Sequence, residues 1–193
     1  SSAFDGDINN GVYNPALINP LMNNKLGLNF TNYYSDITYG DIGYCFTLDD
    51  YHVVSSVKFI DYGQFIKTNE LGQQVGEFSA GEYLFSLGSS LMIDSTFYVG
   101  LNGKFAYSSL YELSSLAVFL DLGCTYIHPN SNLIASLLFK NIGYQLDTYY
   151  ENQREVFPFE FLFGLSNKLE HMPLRWHLTF QHLETPDLRF DNT

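Results

Sequence analysis

Apolar and polar residues alternate with a period of two along most of the chain, most clearly between Ser95 and Ile127. One set of positions carries bulky apolar side chains, and the other carries small or polar ones such as Asn102, Lys104 and Asp121. Because side chains of a β-strand point to opposite faces, this pattern predicts two long strands, each with one apolar face. Soluble strands are usually about 5–6 residues long, whereas membrane-crossing strands need roughly 9–11. The stretch is therefore typical of a transmembrane antiparallel β-barrel, apolar toward lipid and polar toward the lumen.

The same alternation predicts about nine strands, and no segment shows the spacing of apolar residues that is typical of an amphipathic helix. The strands cover Lys25–Tyr33, Ile37–Phe46, Tyr51–Ile60, Phe78–Met92, Thr96–Ser108, Ser114–Ile127, Leu133–Ile142, Pro158–Leu169 and Leu174–Leu183. Residues 1–24 do not alternate. Proline restricts both itself and the residue before it, so NPALINP, from Asn14 to Pro20, predicts a compact bent segment. The predicted organisation is an N-terminal segment over residues 1–24 and up-and-down barrel strands over residues 25–193.

The lengths of the connections orient the predicted strands. Two connections are long, Asp61–Glu77 and Gly143–Phe157, and both fall on the same side of an up-and-down sheet. The predicted turns on the other side are all short. Outer-membrane barrels have short periplasmic turns and longer external loops. The two long connections are therefore predicted to face the cell exterior, and the N-terminal segment is predicted to lie at the periplasmic side.

Charged residues occur at positions that the alternation assigns to the lumen: Lys104, Asp121, Lys140, Glu160 and Lys168. Matching the faces of the sixth and seventh strands puts Asp121 opposite Lys140 and brings Glu160 beside Lys140. This predicts a lumenal Asp121–Lys140–Glu160 group, in which each cross-strand pair stabilises by about 0.2–1 kcal/mol. The alternative is that these charges are separately solvated in a wet lumen.

Composition excludes several classes of function. The chain has 193 residues, 17 Phe and 15 Tyr, yet no apolar run long enough for a transmembrane helix. Its net charge of −12 disfavours nucleic-acid binding, which depends on Lys and Arg contacts with phosphate. The histidines lack metal-ligand spacing, and no GxSxG, HExxH or phosphate-binding glycine loop occurs. The sequence therefore favours a protein that is not an enzyme and has no metal or cofactor.

Several segments resemble one known family. The tripeptide Asn14-Pro15-Ala16, after DINNGVY, resembles the NPA segment in the hatch of the FadL-like outer-membrane barrels. Nearly the whole chain is similar to the PorQ-type branch of that family, which belongs to the type IX secretion system and is related to PorV. The resemblance is most specific in VKFIDYGQFIKTNELGQQVGEFSAGEY and LLFKNIGYQLDTYYENQREVFPFEF.

The resemblance implies a fourteen-stranded barrel in the bacterial outer membrane, of which about nine strands lie in this chain, with a hatch within residues 1–24. It implies no cofactor. It also implies an anchoring role, because barrels of this branch hold a PorZ-like surface protein, and through it PorU and PorV. That attachment complex processes cargo and links it to lipopolysaccharide. The candidate partner-binding residues lie in the two long connections: Tyr62, Phe65, Glu70, Glu77, Tyr149, Tyr150 and Arg154.

Two other functions remain open. A FadL-like transporter of hydrophobic small molecules would have an apolar path past the hatch, lined by Phe85 and Phe119. A soluble, secreted β-sandwich would bind carbohydrate through exposed tyrosines. A polar, charge-paired lumen favours the anchor over the transporter. Extraction into buffer without detergent would exclude both barrel functions.

Overall fold

The computed structural model describes residues 5–34, 36–49, 51–149, 157–172 and 174–184. In this part of the chain nine antiparallel strands form one sheet, in which each strand pairs with the next along the chain. The strands are β1 (Lys25–Asn32), β2 (Thr38–Leu48), β3 (Tyr51–Thr68), β4 (Gln74–Met92), β5 (Phe97–Leu110), β6 (Leu113–Ile127), β7 (Leu133–Asp147), β8 (Glu160–Lys168) and β9 (Arg175–Phe180). The predicted strands and their up-and-down order are confirmed.

The sheet has an outer face and an inner face of opposite polarity. The outer face exposes large apolar side chains along most of its area, including those of Leu28, Phe30, Phe85, Leu101, Phe105, Leu122, Phe139 and Leu178. The inner face carries polar side chains that are buried, including those of Asn102, Asp121, Thr125, Ser136 and Ser166. A sheet with one face in water normally turns its apolar face to the core. In this sheet the apolar face is exposed and the polar face is buried.

From residue 5 onward, three short helices precede the sheet: α1 (Ile8–Tyr13) and two 3-10 helices, Pro15–Leu17 and Pro20–Met22. The side chains of Asn14 and Asn19 each accept the backbone N–H two residues ahead, at 3.1 and 2.9 Å. Proline follows each asparagine at the first helical position, where its missing N–H costs nothing. The Asn-Pro repeats therefore produce two tight turns, as the predicted bent segment requires.

The hydrophobic core lies between these helices and the inner face of the sheet. Its members are Ile8, Val12, Ile18 and Met22 from the N-terminal segment, with Cys45 and Val54 from β2 and β3. In the described part of the chain the sheet therefore packs on the N-terminal segment rather than on a second sheet. The two cysteines are free, since Cys124 points from β6 to the outer face, away from Cys45.

The connection Asp61–Glu77, predicted to be a long loop, is instead mostly strand. β3 and β4 run past their neighbours, because β2 begins at Thr38, opposite Asp61, and β5 ends at Leu110, opposite Ala80. Beyond those points β3 and β4 pair only with each other, up to a turn over residues 69–73. We call residues 62–79 the ribbon.

Two irregularities explain why the alternation failed to reveal the ribbon. The pairing of β3 with β4 shifts register between Asp61 and Gln64, where Gly63 has φ +77, and again between Lys67 and Thr68. Each bulge inserts an extra residue and reverses the side-chain parity beyond it. The period of two is therefore lost although the backbone remains extended.

The second predicted loop, Gly143–Phe157, is also shorter than expected. β7 continues to Asp147, and Asn141, in the left-handed conformation with φ +58, interrupts its alternation. The connection between β7 and β8 is still the longest in the described chain, although residues 150–156 lie outside the described part. The two long loops inferred from connection lengths therefore become one long connection and one ribbon, both at the same end of the sheet.

The turn between β4 and β5, at the opposite end, is held by a single carboxylate. Asp94 accepts hydrogen bonds from the Thr96 hydroxyl and from the backbone N–H groups of Thr96 and Phe97, at 2.7–2.9 Å. These bonds, that from the Thr96 hydroxyl first, hold the pKa of Asp94 below the ordinary value of 3.8. A depressed carboxyl pKa gives stability that is present above the unfolded pKa and lost as pH falls through the folded one.

We therefore expect the Asp94 carboxyl to titrate below 3.8 in a carbon-13 NMR titration of the protein in detergent micelles. The Thr96→Val variant removes the hydroxyl donor, so its Asp94 titration midpoint should move upward. An Asp94 midpoint above 3.8 in the unmodified protein, or one that Thr96→Val leaves unchanged, would contradict this account of the turn.

Candidate functional site

The N-terminal segment packs on three glycines of neighbouring strands on the inner face, Gly88, Gly100 and Gly123, which we call the seat. The predicted hatch residues, Asn14, Pro15 and Ala16, lie on Gly100 and Gly123. A Cβ atom built on Gly100 would lie 2.2 Å from the carbonyl carbon of Pro15 and 2.3 Å from the Ala16 nitrogen. One built on Gly123 would lie 2.6 Å from Asn14 Oδ1. The backbone of Asn14-Pro15-Ala16 thus approaches the sheet more closely than any side chain would permit.

The residues after Ala16 are fixed by burial and by one buried hydrogen bond. Leu17 and Ile18 are completely inaccessible to solvent, and the Ser90 hydroxyl donates to the Ile18 carbonyl at 2.6 Å. Gly88 leaves room for the Ile18 side chain, since a Cβ there would lie 3.3 Å from Ile18 Cδ1. Residues 14–18 therefore form a closely fitted contact with β4, β5 and β6.

Next to the seat lies a buried ion pair between Lys104 and Asp121. Lys104 Nζ contacts Asp121 Oδ2, and the two side chains are 10 % and 0 % exposed. The other carboxylate oxygen of Asp121 accepts the Asn141 N–H at 2.9 Å, and Asn102 Nδ2 lies 3.5 Å from Asp121 Oδ2. A completely buried carboxylate is tolerable only with such partners, because removing a charge from water costs several kcal/mol.

Of the two ion pairs predicted for the lumenal group, the Lys140–Glu160 pair is confirmed and the Asp121–Lys140 pair is wrong. Lys140 does pair with Glu160, with 3.6 Å between Nζ and Oε2, and the two residues are opposite each other in the β7–β8 register. Asp121, however, pairs with Lys104 rather than Lys140. Lys168 lies at the exposed end of β8, opposite Arg175 and apart from both pairs.

A bulge in β7 explains the wrong partner. Leu122 is opposite Phe139, as face matching predicts, but Leu120 is opposite Ile142, so Lys140 and Asn141 together face Asp121. The extra residue moves the Lys140 side chain out of direct opposition. The sequence did carry the correct signal, since pairing β5 with β6 places Lys104 diagonal to Asp121, within reach of a long side chain.

Sequence reasoning also missed how the N-terminal segment links the first and last strands. Arg175 of β9 lies 3.5 Å from the Asp5 carboxylate, and Lys25 of β1 donates to the Gly6 carbonyl at 2.9 Å. Eight strand spacings of about 4.8 Å would separate these strands by roughly 38 Å in a flat sheet. Contacts to adjacent residues of one segment require the sheet to curl around it.

Between the ion pair and the ribbon the inner face encloses a cavity of about 380 Å³. Its lining includes Tyr39, Lys58, Leu84, Ala106, Ala117 and Phe157. Phe157 also contacts Phe119 edge-to-face, with ring centroids 4.6 Å apart. Phe85, which we expected to line a path with Phe119, instead lies on the outer face opposite Phe105, 47 % exposed.

The candidate partner-binding residues are mostly on strands rather than in loops. Tyr62 and Phe65 belong to β3 and Glu77 to β4, while Glu70 lies in the turn of the ribbon. Tyr149 follows β7, and its hydroxyl contacts Ser108 Oγ. Tyr150 and Arg154 lie outside the described residues. The structure therefore brings Tyr62, Phe65 and Tyr149 together around one groove, while Glu70 and Glu77 lie on the ribbon above it.

The chain matches no protein-family model and no curated protein. None of the helices in the described part of the chain has the length and hydropathy that a membrane-spanning helix needs.

Proposed function

We propose that this chain forms the wall and hatch of an outer-membrane β-barrel that anchors a surface attachment complex of the type IX secretion system. One observation carries the membrane part of the proposal: the outer face exposes its apolar side chains and the inner face buries its polar ones. Exposed apolar patches on soluble monomers rarely exceed a few hundred Å². An apolar outer face and a polar interior are the arrangement of a transmembrane barrel.

Strand length agrees with this proposal. β3 to β7 contain 14–19 residues each, beyond the roughly 9–11 that a tilted strand needs to cross a bilayer. Each can therefore span the hydrocarbon layer and continue into the aqueous phase. The β3–β4 ribbon would then stand clear of the membrane on the cell-surface side.

Closure of the barrel requires further strands. In the described chain β1 and β9 each pair on one side only, and lipid cannot satisfy the free backbone groups of an open edge. We infer that additional strands close the wall between β9 and β1, in line with the fourteen that the family resemblance implies. Asp5 and Gly6, which contact Arg175 and Lys25, would hold the hatch against both ends of this sheet.

The closely fitted hatch favours an anchor over a transporter. A transport path past the hatch would have to displace backbone that touches the seat. The cavity of about 380 Å³ is the observation that favours the second candidate, a FadL-like transporter of hydrophobic small molecules. We therefore place the anchoring function, with a PorZ-like partner that links to PorU and PorV, first. The anchor would act without catalysis or a cofactor.

A charge scan along β5 tests the membrane assignment. Leu101 is on the outer face near the middle of the strand, and Tyr107 is on the same face, roughly 20 Å nearer the cell-surface end at about 3.3 Å per residue. In urea unfolding from lipid vesicles we expect Leu101→Arg to lower the free energy of unfolding by about 2–4 kcal/mol and Tyr107→Arg by about 0–1 kcal/mol. Equal and small effects at both sites, as exposed positions of a soluble protein would give, would exclude the barrel.

Capture of the partner tests the anchoring function. A shortened ribbon, in which residues 65–78 are replaced by a two-residue turn, removes paired strand from both sides and keeps the native Gln64–Ser79 pair next to the turn. We expect full-length protein with this change to insert into the outer membrane and to retain little PorZ-like protein in a pull-down. If the shortened-ribbon variant captures as much PorZ-like protein as the unmodified protein does, the partner surface lies elsewhere. If the unmodified protein itself captures none, the anchoring function is rejected.

A further inference from the structure

A groove at the mouth of the inner face joins the ribbon to the cavity below it. This mouth groove has a volume of about 360 Å³, and its lining includes Tyr62, Phe65, Phe78, Glu82, Leu110 and Tyr149. The groove and the cavity share Glu82, Ser108 and Tyr149 as lining residues, so the two spaces are adjacent. The groove is mostly apolar.

Aromatic rings make the upper wall of the mouth groove rigid. Phe65 and Phe78 are opposite each other across the ribbon and stack with ring centroids 5.2 Å apart. Tyr111, in the turn after β5, packs edge-on against Phe78 at 5.5 Å, and Lys67 lies over the Tyr111 ring at 4.3 Å. Such aromatic anchors are typical of the centre of a protein–protein interface.

The charges around the mouth groove are almost all negative. The described carboxylates at this end of the sheet are Asp36, Asp61, Glu70, Glu77, Glu82, Glu112 and Asp147. Within the described residues Lys67 is the one cation on the ribbon, where it donates to the Tyr111 hydroxyl, and Lys58 lines the adjoining cavity. Glu82 lines the groove itself, where it accepts a hydrogen bond from Tyr62 at 3.1 Å and forms no ion pair among the described residues.

We infer that the mouth groove binds an extended, basic segment of the surface partner, with apolar side chains against the Phe65–Phe78 wall and a Lys or Arg at Glu82. This inference rests on the proposed anchoring function and names the chemistry of its partner. Complementary charge favours a basic segment, because like-charged groups across an interface cost several kcal/mol. The same negative charge disfavours the phosphates of lipopolysaccharide and the carboxylates of fatty acids as occupants of this groove.

Two peptides of equal length test the inference on the full-length protein in detergent. One alternates Phe and Lys, the other alternates Phe and Glu, and binding is followed by fluorescence anisotropy at low and physiological salt. We expect the Lys peptide to bind at least tenfold more tightly, and Glu82→Gln to weaken that binding at least fivefold. The variant Phe78→Ala should weaken it by a similar factor. Glu82→Gln keeps the hydrogen bond from Tyr62, since the amide oxygen also accepts.

The matched control is Glu170→Gln, which changes the net charge equally in the β8–β9 turn at the opposite end of the sheet. We expect it to change the affinity for the Lys peptide by less than twofold. Equal losses in Glu82→Gln and Glu170→Gln, or equal binding of the two peptides, would overturn the inference. Capture of the PorZ-like protein by the Glu82→Gln variant at the unmodified level would also overturn it, but would leave the anchoring function standing.

Discussion

Replacing Gly100 by valine is expected to unseat the N-terminal segment from the inner face of the sheet. The new Cβ would lie 2.2 Å from the Pro15 carbonyl carbon, a backbone atom that no rotamer change can move away. Overpacking usually costs about 1–3 kcal/mol, and a backbone clash belongs at the upper end of that range. We therefore expect the free energy of unfolding in lipid vesicles to fall by about 3 kcal/mol.

A native thiol reports whether the segment has moved. Cys45 is completely buried beneath Val12 and Met22, so the unmodified protein should react slowly with a water-soluble maleimide. Gly100→Val should raise the labelling rate of Cys45, because a displaced segment uncovers it. Mass spectrometry of the labelled peptides distinguishes Cys45 from Cys124.

Gly103→Val on the same strand is the matched control. Gly103 is on the outer face, where an added Cβ would meet no atom within 4 Å, and valine is favourable in strands. We expect little loss of stability and unchanged labelling of Cys45. If Gly100→Val behaves like Gly103→Val in both measurements, the N-terminal segment is not seated on Gly100.

The sequence was a good guide to the fold where the two faces impose different chemistry. From Phe97 to Ile127 most outer-face positions, at every second residue within each strand, carry bulky apolar side chains, so the strands and their register could be inferred without a structure. The ribbon was missed because bulges at Gly63 and after Lys67 break the alternation. Backbone pairing, rather than side-chain polarity, maintains the strands there.

The site was less predictable because its contacts join distant parts of the chain. A glycine at position 100 carries no sequence signal that Pro15 lies against it. The partner of Asp121 was assigned wrongly because the extra residue at Asn141 is invisible to face matching. The Lys140–Glu160 pair was predicted correctly, and the Lys104–Asp121 diagonal could also have been inferred, because it follows from the two-residue turn between β5 and β6.

Removing Lys104 is expected to be the most destabilising change among the charged residues of the inner face. Lys104→Met leaves the completely buried Asp121 carboxylate without its counter-ion. Breaking one partner of a buried ion pair typically costs about 3–5 kcal/mol. We expect a loss of that size in the free energy of unfolding, measured by urea titration in lipid vesicles. The Lys104→Met/Asp121→Asn double variant should recover most of it, because the neutral amide still accepts the Asn141 N–H.

Lys140→Met is the matched control, since Lys140 is the lysine that face matching paired with Asp121. Its actual partner is Glu160, at 3.6 Å, and the two side chains are 23 % and 28 % exposed. Partly exposed pairs contribute about 0–1 kcal/mol, so we expect a small loss that Asp121→Asn does not alter. A loss as large as that of Lys104→Met, relieved by Asp121→Asn, would mean that Lys140 rather than Lys104 neutralises Asp121. The size of the loss alone cannot identify the partner, whereas relief by the second substitution can, because only directly coupled charges show a large interaction energy in a double-mutant cycle.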